Sequence, residues 1–358
     1  MNKDHNVTTR WLGEVPIYVV AFAWTIACVA ANLKADASFS VGSIRANGIL
    51  IFAGILVYGM AVLIGILIRH RPDSPFAYLR QRFSNSQSAT WWIGALPIVL
   101  ISIVLMPQFS SMKGMIPLFT DYTWDQTFID LDRAIFLGHD PWELLWPILG
   151  NPYVTALLGV FYHLWILLLY LGTMVMLFDP RVSQTLRRQF FLSYVLCWAL
   201  LGSVLATALA SVGPVFAEPL LGIDTFVPQM ELLRQGSETA YLMTLPVQDG
   251  LLAAFQEQAR GLGAGITAMP SLHVAIAFLF WQATRQINKR IGWFFFAFFV
   301  NIWISSVHLA YHYAVDGLVS VIGMVVIWKA SGAILRGWDQ WLTRRDQPAL
   351  RTNTVPAE

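Results

Sequence analysis

Residues 291–316 read IGWFFFAFFVNIWISSVHLAYHYAVD, an apolar run that ends on His308, His312 and Asp316. The stretch 291–308 approaches the length of about 20 mostly apolar residues that a helix needs to cross a bilayer, and another apolar stretch, 313–333, starts almost at once. Working outward, similar stretches lie at roughly 15–33, 48–68, 91–106, 152–177, 190–212 and 267–283, the third of them short and holding Pro97. The chain is 56% hydrophobic and 12% charged, where a soluble domain carries about 25% charged residues. Its 15 Trp and 23 Phe suit a bilayer and its interfaces. These patterns predict an all-α fold: a polytopic membrane helix bundle of about eight transmembrane helices, with interfacial helices in the outer loops. The first apolar run is too long and continuous for a signal-peptide core and reads as a retained span. Cys28 and Cys197 both lie in apolar runs, so no disulfide and no cysteine metal site is expected. A net charge of +2 gives no reason to expect nucleic acid as a partner.

With the N-terminus inside, 16 Lys and Arg fall on the inner side and 6 on the outer, Lys329 lying near a span end. That bias follows the positive-inside rule and places both termini in the cytoplasm. Two outer connections are long. Residues 107–151 carry Asp121, Asp125, Asp130, Asp132, Asp140 and Glu143, and residues 213–266 are broken by Pro214, Pro219, Pro228 and Pro246. Loops of this length are usually functional, and a lid over a site is expected. The chain divides into N-terminal transmembrane helices over 1–110, a catalytic membrane domain over 111–335 and a cytoplasmic tail over 336–358. Compact size suits a bacterial inner membrane, with the site facing the periplasm or exterior.

Ionisable residues inside spans point to function, and three of the seven histidines, His273, His308 and His312, fall in the C-terminal third. The stretch 261–273 reads GLGAGITAMPSLH, a glycine-rich loop running through Pro270 into a long apolar helix. A helix start offers unpaired N–H groups and a positive dipole end, a natural place for phosphate. Ser271 would donate to a phosphate oxygen, and His273 would hold a proton for a leaving oxygen. The plain alternative is a helix cap with a packing histidine. His312 and Asp316, four residues apart, share one face of a helix; a carboxylate beside an imidazole fixes its tautomer and stabilises its charged form. There the alternative is a structural His–Asp hydrogen bond. Topology brings both clusters to the outer side.

At these residues the sequence resembles the type 2 phosphatidic acid phosphatase family, whose motifs are K-x6-R-P, P-S-G-H and S-R-x5-H-x3-D. Pro270-Ser271-Leu272-His273 is similar to the second, with Leu272 in place of Gly. Ser305, His312 and Asp316 match the third, with Ser306 in place of Arg. The first motif is absent: before Arg71-Pro72, Ile64 occupies the Lys position. The departures resemble the branch of inositol phosphorylceramide synthases and their bacterial relatives, and Ser211-Val212-Gly213-Pro214 is similar to a turn of that branch.

The resemblance implies a membrane-embedded lipid phosphatase or phosphotransferase that needs no metal or other cofactor. His312 would form a phosphohistidine, Asp316 would orient it, His273 would serve as acid then base, and Ser271 would hold a phosphate oxygen. His308 either contacts phosphate in place of the missing Arg or is a packing residue. Arg260, Arg133 and Arg234 are candidate phosphate cations or plain surface charges, and His163 lines the lipid cavity or is a satisfied buried histidine. The partners implied are a phosphorylated lipid substrate, an alcohol acceptor where the reaction is transfer, and membrane lipids. Competing readings are a headgroup transferase of the inositol phosphorylceramide synthase type, a haem-binding redox protein using His273, His308 or His312, and a non-catalytic scaffold.

Overall fold

The computed structural model describes residues 7–36, 40–83, 86–258, 261–263 and 265–346, all of them helix or connection with no strand among them. The helices in chain order are α1 (Val7–Lys34), α2 (Val41–His70), α3 (Pro75–Phe83), α4 (Ser86–Phe119), α5 (Asp125–Ile135) and α6 (Pro141–Leu149). After them come α7 (Pro152–Phe178) and α8 (Gln184–Ala208), each with an internal π-helical segment. The chain continues through α9 (Pro214–Leu221), α10 (Val227–Ser237), α11 (Thr244–Gln256), α12 (Leu272–Ile287), α13 (Lys289–His308) and α14 (Ala314–Asp346).

Among the described residues seven helices are long and apolar enough to cross a membrane: α1, α2, α4 from Thr90, α7, α8, α13 and α14. The chain is therefore an integral membrane protein. The share of apolar surface each helix hides inside the protein sorts them. Only 11% of the span window of α2 is buried, against 72% for α8, so α2 turns most of its surface to lipid while α8 is central.

The stretch expected to span from 267 instead forms the 16-residue α12, which starts at Leu272 because Ser271 caps it. Eleven of its residues are buried. It packs against α13, α14 and α8, so it is a core strut whose length is set by neighbours. Only Asn288 separates α12 from α13: its N–H closes α12 on Thr284 O, and its side chain accepts from Arg290 N and Ile291 N to open α13. A Cβ at Gly292 would lie 2.7 Å from Arg285 Cα, so glycine there lets the two helices close.

Two boundaries differ from the sequence reading. α4 runs on to Phe119 through Pro97, Pro107 and Pro117, where an end near 106 was expected. Prolines are tolerated in membrane helices because neighbours and nearby hydroxyls serve the freed carbonyls. α14 continues to Asp346, past the expected tail boundary at 336, and Arg188 on α8 pairs with its Asp339 at 2.8 Å. The connections 107–151 and 213–266 carry the short helices α5, α6, α9, α10 and α11.

Candidate active site

Ser271 sits at the N-cap of α12 with extended backbone, its Oγ accepting from Val274 N at 3.5 Å. Capping by serine satisfies one of the four N–H groups a helix start leaves open. The hydroxyl is fully buried and serves the helix. Pro270 precedes the cap and stands outside the helix. His273 lies in the first turn and keeps partial exposure in buried surroundings. No hydrogen-bond partner for it occurs among the described residues. Its ring stacks on Tyr162 with centroids 4.5 Å apart and lies 4.1 Å from Trp165, both on α7.

His312 lies in the turn before α14 and Asp316 in that helix's first turn. His312 Nδ1 and Asp316 Oδ2 are 3.0 Å apart, and the same oxygen accepts from Tyr313 N at 3.1 Å. The four-residue spacing thus works by a capping return of the acid to the residue before the helix, whereas a shared helix face was expected. A carboxylate at Nδ1 calls for the proton there and leaves Nε2 with its lone pair. The rings of His273 and His312 have centroids 6.2 Å apart.

Two acids of α5 build the frame around this pair. Asp132 accepts from Ala314 N and Val315 N at 2.7 and 2.8 Å, satisfying the next open donors of α14. Asp125 accepts from Val212 N and Gly213 N at 3.0 Å and from Tyr313 OH at 2.7 Å. Anionic oxygens are favoured at helix starts by charge as well as by hydrogen bonding. Burial nonetheless pushes both carboxyl groups above their ordinary range, Asp132 to about 7, with the N–H donors acting the other way. Both acids lie outside the seven spans.

The turn 211–215 stitches the two histidine segments together. Ser211 accepts from Ala268 N and Met269 N, and Val215 N donates to Ala310 O. Gly213 has φ +88°, and a Cβ there would sit 2.9 Å from Tyr311 O. Ser320 on α14 donates to Ser271 O and Asp316 O at 2.8 and 2.6 Å, joining the start of α12 to that of α14.

The other sequence candidates scatter. Arg133 forms a two-pronged pair with Asp140 at 2.8 and 2.9 Å. His308 is wholly buried, with Nε2 2.9 Å from Thr155 Oγ1 and its ring stacked on Trp146 at 5.1 Å, so it packs α13 against α6 and α7. Arg234 is exposed, 3.9 Å from Asp249. Arg260 lies outside the described residues. His163 holds Gly159 O at 2.7 Å and faces Tyr311.

The sequence reading missed Lys113 as a site residue. It is half-buried near the end of α4, one turn beyond Phe109, which meets Leu272 over Gly202. Its charge, with those of His312 and His163, acts electrostatically on His273. Lys113 has no ion-pair partner among the described residues. An unpaired cation in a membrane helix was the available signal.

The arrangement offers a free imidazole and a carboxylate-held imidazole with its second nitrogen open, on segments tied to one another, with an unpaired ammonium within electrostatic reach. Neither curated proteins nor solved structures give a match to the chain. The sequence pattern of the PAP2 superfamily matches residues 126–330, from α5 to midway along α14. The chain belongs to the PAP2 superfamily.

Proposed function

We propose that the protein cleaves a lipid phosphoester through a phosphohistidine on His312, at the non-cytoplasmic face. The observation that carries this reading is the pair of imidazole rings 6.2 Å apart with Asp316 on Nδ1 of one of them. A phosphoryl group fits between such rings. His312 Nε2 attacks phosphorus as the ester P–O bond breaks, and the leaving alkoxide takes a proton from His273. Asp316 stabilises the positive charge that develops on the phosphorylated ring. In the second half-reaction His273 takes a proton from water or an alcohol, which attacks phosphorus and breaks the N–P bond. Lys113 neutralises the phosphate oxygens, a role for preorganised charge in a dry site. Membership of the superfamily supports this phosphoesterase or phosphotransferase class.

Transfer to an alcohol is the second reading, favoured by the missing K-x6-R-P motif and by Ser306 at the motif's Arg position, departures like those of the inositol phosphorylceramide synthase branch. Purified protein is incubated with phosphatidic acid and with phospholipid donors, with and without alcohols, while free phosphate and new lipid products are followed. His312→Ala is expected to lose at least about a thousandfold in turnover. With a phosphoester whose leaving group needs no proton, an acid-labile phosphoprotein should accumulate in His273→Ala, where the second half-reaction lacks its base. Undiminished turnover in folded His312→Ala would refute the reading.

A further inference from the structure

The short helices α5 and α6 meet the histidine ends of the spans α13 and α14 along an apolar groove of about 360 Å³. Ile135, Leu144 and Leu145 wall it on one side and Trp303, Ile304 and Leu318 on the other, and its walls present no polar surface. Ordered water needs several polar partners, so water does not settle there. α13 and α14 cross the membrane, and their side of the groove continues the surface they turn to lipid, with Leu318 40% exposed. On the short helices, Leu131 and Ile135 form one exposed apolar ridge and Leu144 and Ile148 another. Between them Leu137, 91% exposed, holds φ +58°, a conformation that costs a leucine more than a glycine. The exposed polar residues Gln126 and Asp130 of α5 bond each other along a different ridge. A protein partner is met by a rim of polar groups. The lining residues that reach the surface here, Ile135, Leu144 and Leu318, are all apolar.

The start of α14 forms part of this groove. Ala314 and Val315 line it, and theirs are the N–H groups that Asp132 holds. Trp303 donates to Ala314 O at 3.0 Å, and a Cβ at Gly317 would collide with its indole. Polar bonds and one indole thus fix the first turn of α14, and the rest of that side lies open to the groove. Asp316 points elsewhere. It is wholly buried, whereas Leu318, about 200° further round the helix, lines the groove. An occupant of the groove therefore touches α14 on the side away from the carboxylate that holds His312.

We propose that the groove holds an acyl chain of a bilayer lipid other than the substrate, and that this chain braces the first turn of α14 behind Asp316. Binding of the chain follows from the groove alone, and its effect on turnover rests on the phosphohistidine reading above. A chain in the groove covers apolar surface and adds packing contacts to the helix start. Without it the first turn keeps its polar bonds and loses packing on one side, so Asp316 is held less firmly against His312 Nδ1.

The test places full-length protein in dioleoyl phosphatidylcholine nanodiscs that contain phosphatidylcholine with a photoreactive diazirine at mid-chain, and maps adducts by peptide mass spectrometry. Adducts on 135–145 and 303–318 should exceed those on α2, the span with the smallest buried share, by at least about fivefold per residue. Leu318→Trp fills the groove from an exposed position and should cut its adducts about fivefold while those on α2 stay unchanged. Leu145→Trp fills it from the other wall and should do the same, so a folding defect in one variant leaves the other to decide. A second measurement reads the brace. With phosphatidic acid at a fixed mole fraction in detergent, dioleoyl phosphatidylcholine should raise the parent's kcat at least about threefold over dihexanoyl phosphatidylcholine. Neither variant should show that difference. Groove labelling no higher than that of α2, or labelling that both variants retain, overturns the site. So does a cross-link between two copies through the groove, which would make it a dimer face. Labelling displaced more by phosphatidic acid than by an equal amount of unlabelled phosphatidylcholine would assign the groove to the substrate and overturn the choice of lipid. Intact labelling with turnover indifferent to chain length refutes the brace. Intact labelling with no His312-dependent turnover would sink the phosphohistidine reading and leave the bound lipid standing.

Discussion

Asp132 ties the short helix α5 to the start of α14, and its ionisation should be visible in stability. The side chain is 3% exposed and accepts two backbone N–H bonds, yet burial raises its carboxyl from 3.8 to about 7. Between those values the folded protein holds a proton that the unfolded chain has released. Stability contributed by this group is therefore highest at low pH and falls as pH rises toward 7. At about 1.4 kcal/mol per pH unit, the loss reaches about 4 kcal/mol by pH 8. Asp132→Asn keeps one acceptor oxygen and cannot ionise. It should be less stable than the parent at pH 5 by about 1 kcal/mol for the weakened bonding, and more stable at pH 8. Asp132→Ala leaves two buried N–H groups unpaired and should lose about 1–3 kcal/mol for each at pH 5, a deficit that narrows as pH rises and the parent itself loses stability. Tryptophan-monitored unfolding in detergent from pH 5 to 8 reads this directly. Parallel stability curves for the parent and Asp132→Asn would refute the assignment of the slope to this carboxyl group.

Gly213→Ala should destabilise the protein by at least about 1–3 kcal/mol, because φ +88° and a carbonyl 2.9 Å from the new Cβ both oppose it; a melting point equal to the parent's would show that the turn adapts. Lys113→Met should raise KM for a lipid phosphate about ten- to hundredfold while Lys113→Arg recovers part of the loss. Steady-state kinetics on both variants decide it, and an unchanged KM in Lys113→Met removes this residue from phosphate binding.

The membrane bundle was legible because apolar length acts on whole segments, and nearly every predicted span has its helix. The short α12 escaped the length rule because it is buried among other helices. The spacing of His312 and Asp316 identified the pair, although the contact forms through a capping return and not along a helix face. Lys113 was hidden by reading α4 as ending near Pro107, among Gln108, Ser110 and Ser111, which looked like the start of a loop. Asp125 and Asp132 stood out only as two of several acids in a long connection. Their partners are mostly backbone N–H groups, which carry no side-chain signature, and they lie 87 to 183 residues away in the chain. Arg133, the cation beside them, is taken up by Asp140 seven residues on.

The shortness of α12 bears on how a lipid would meet His273. Sixteen residues at 1.5 Å each rise about 24 Å, some 6 Å less than a typical hydrocarbon core. With its Arg285 end at the level of one leaflet's carbonyls, the histidine end would stop about 6 Å short of the opposite surface. A two-tailed lipid would then meet the histidine with its headgroup drawn below the surface and its chains still in the leaflet. Water-soluble short-chain analogues would forgo that alignment and should turn over poorly even where their phosphate chemistry is identical.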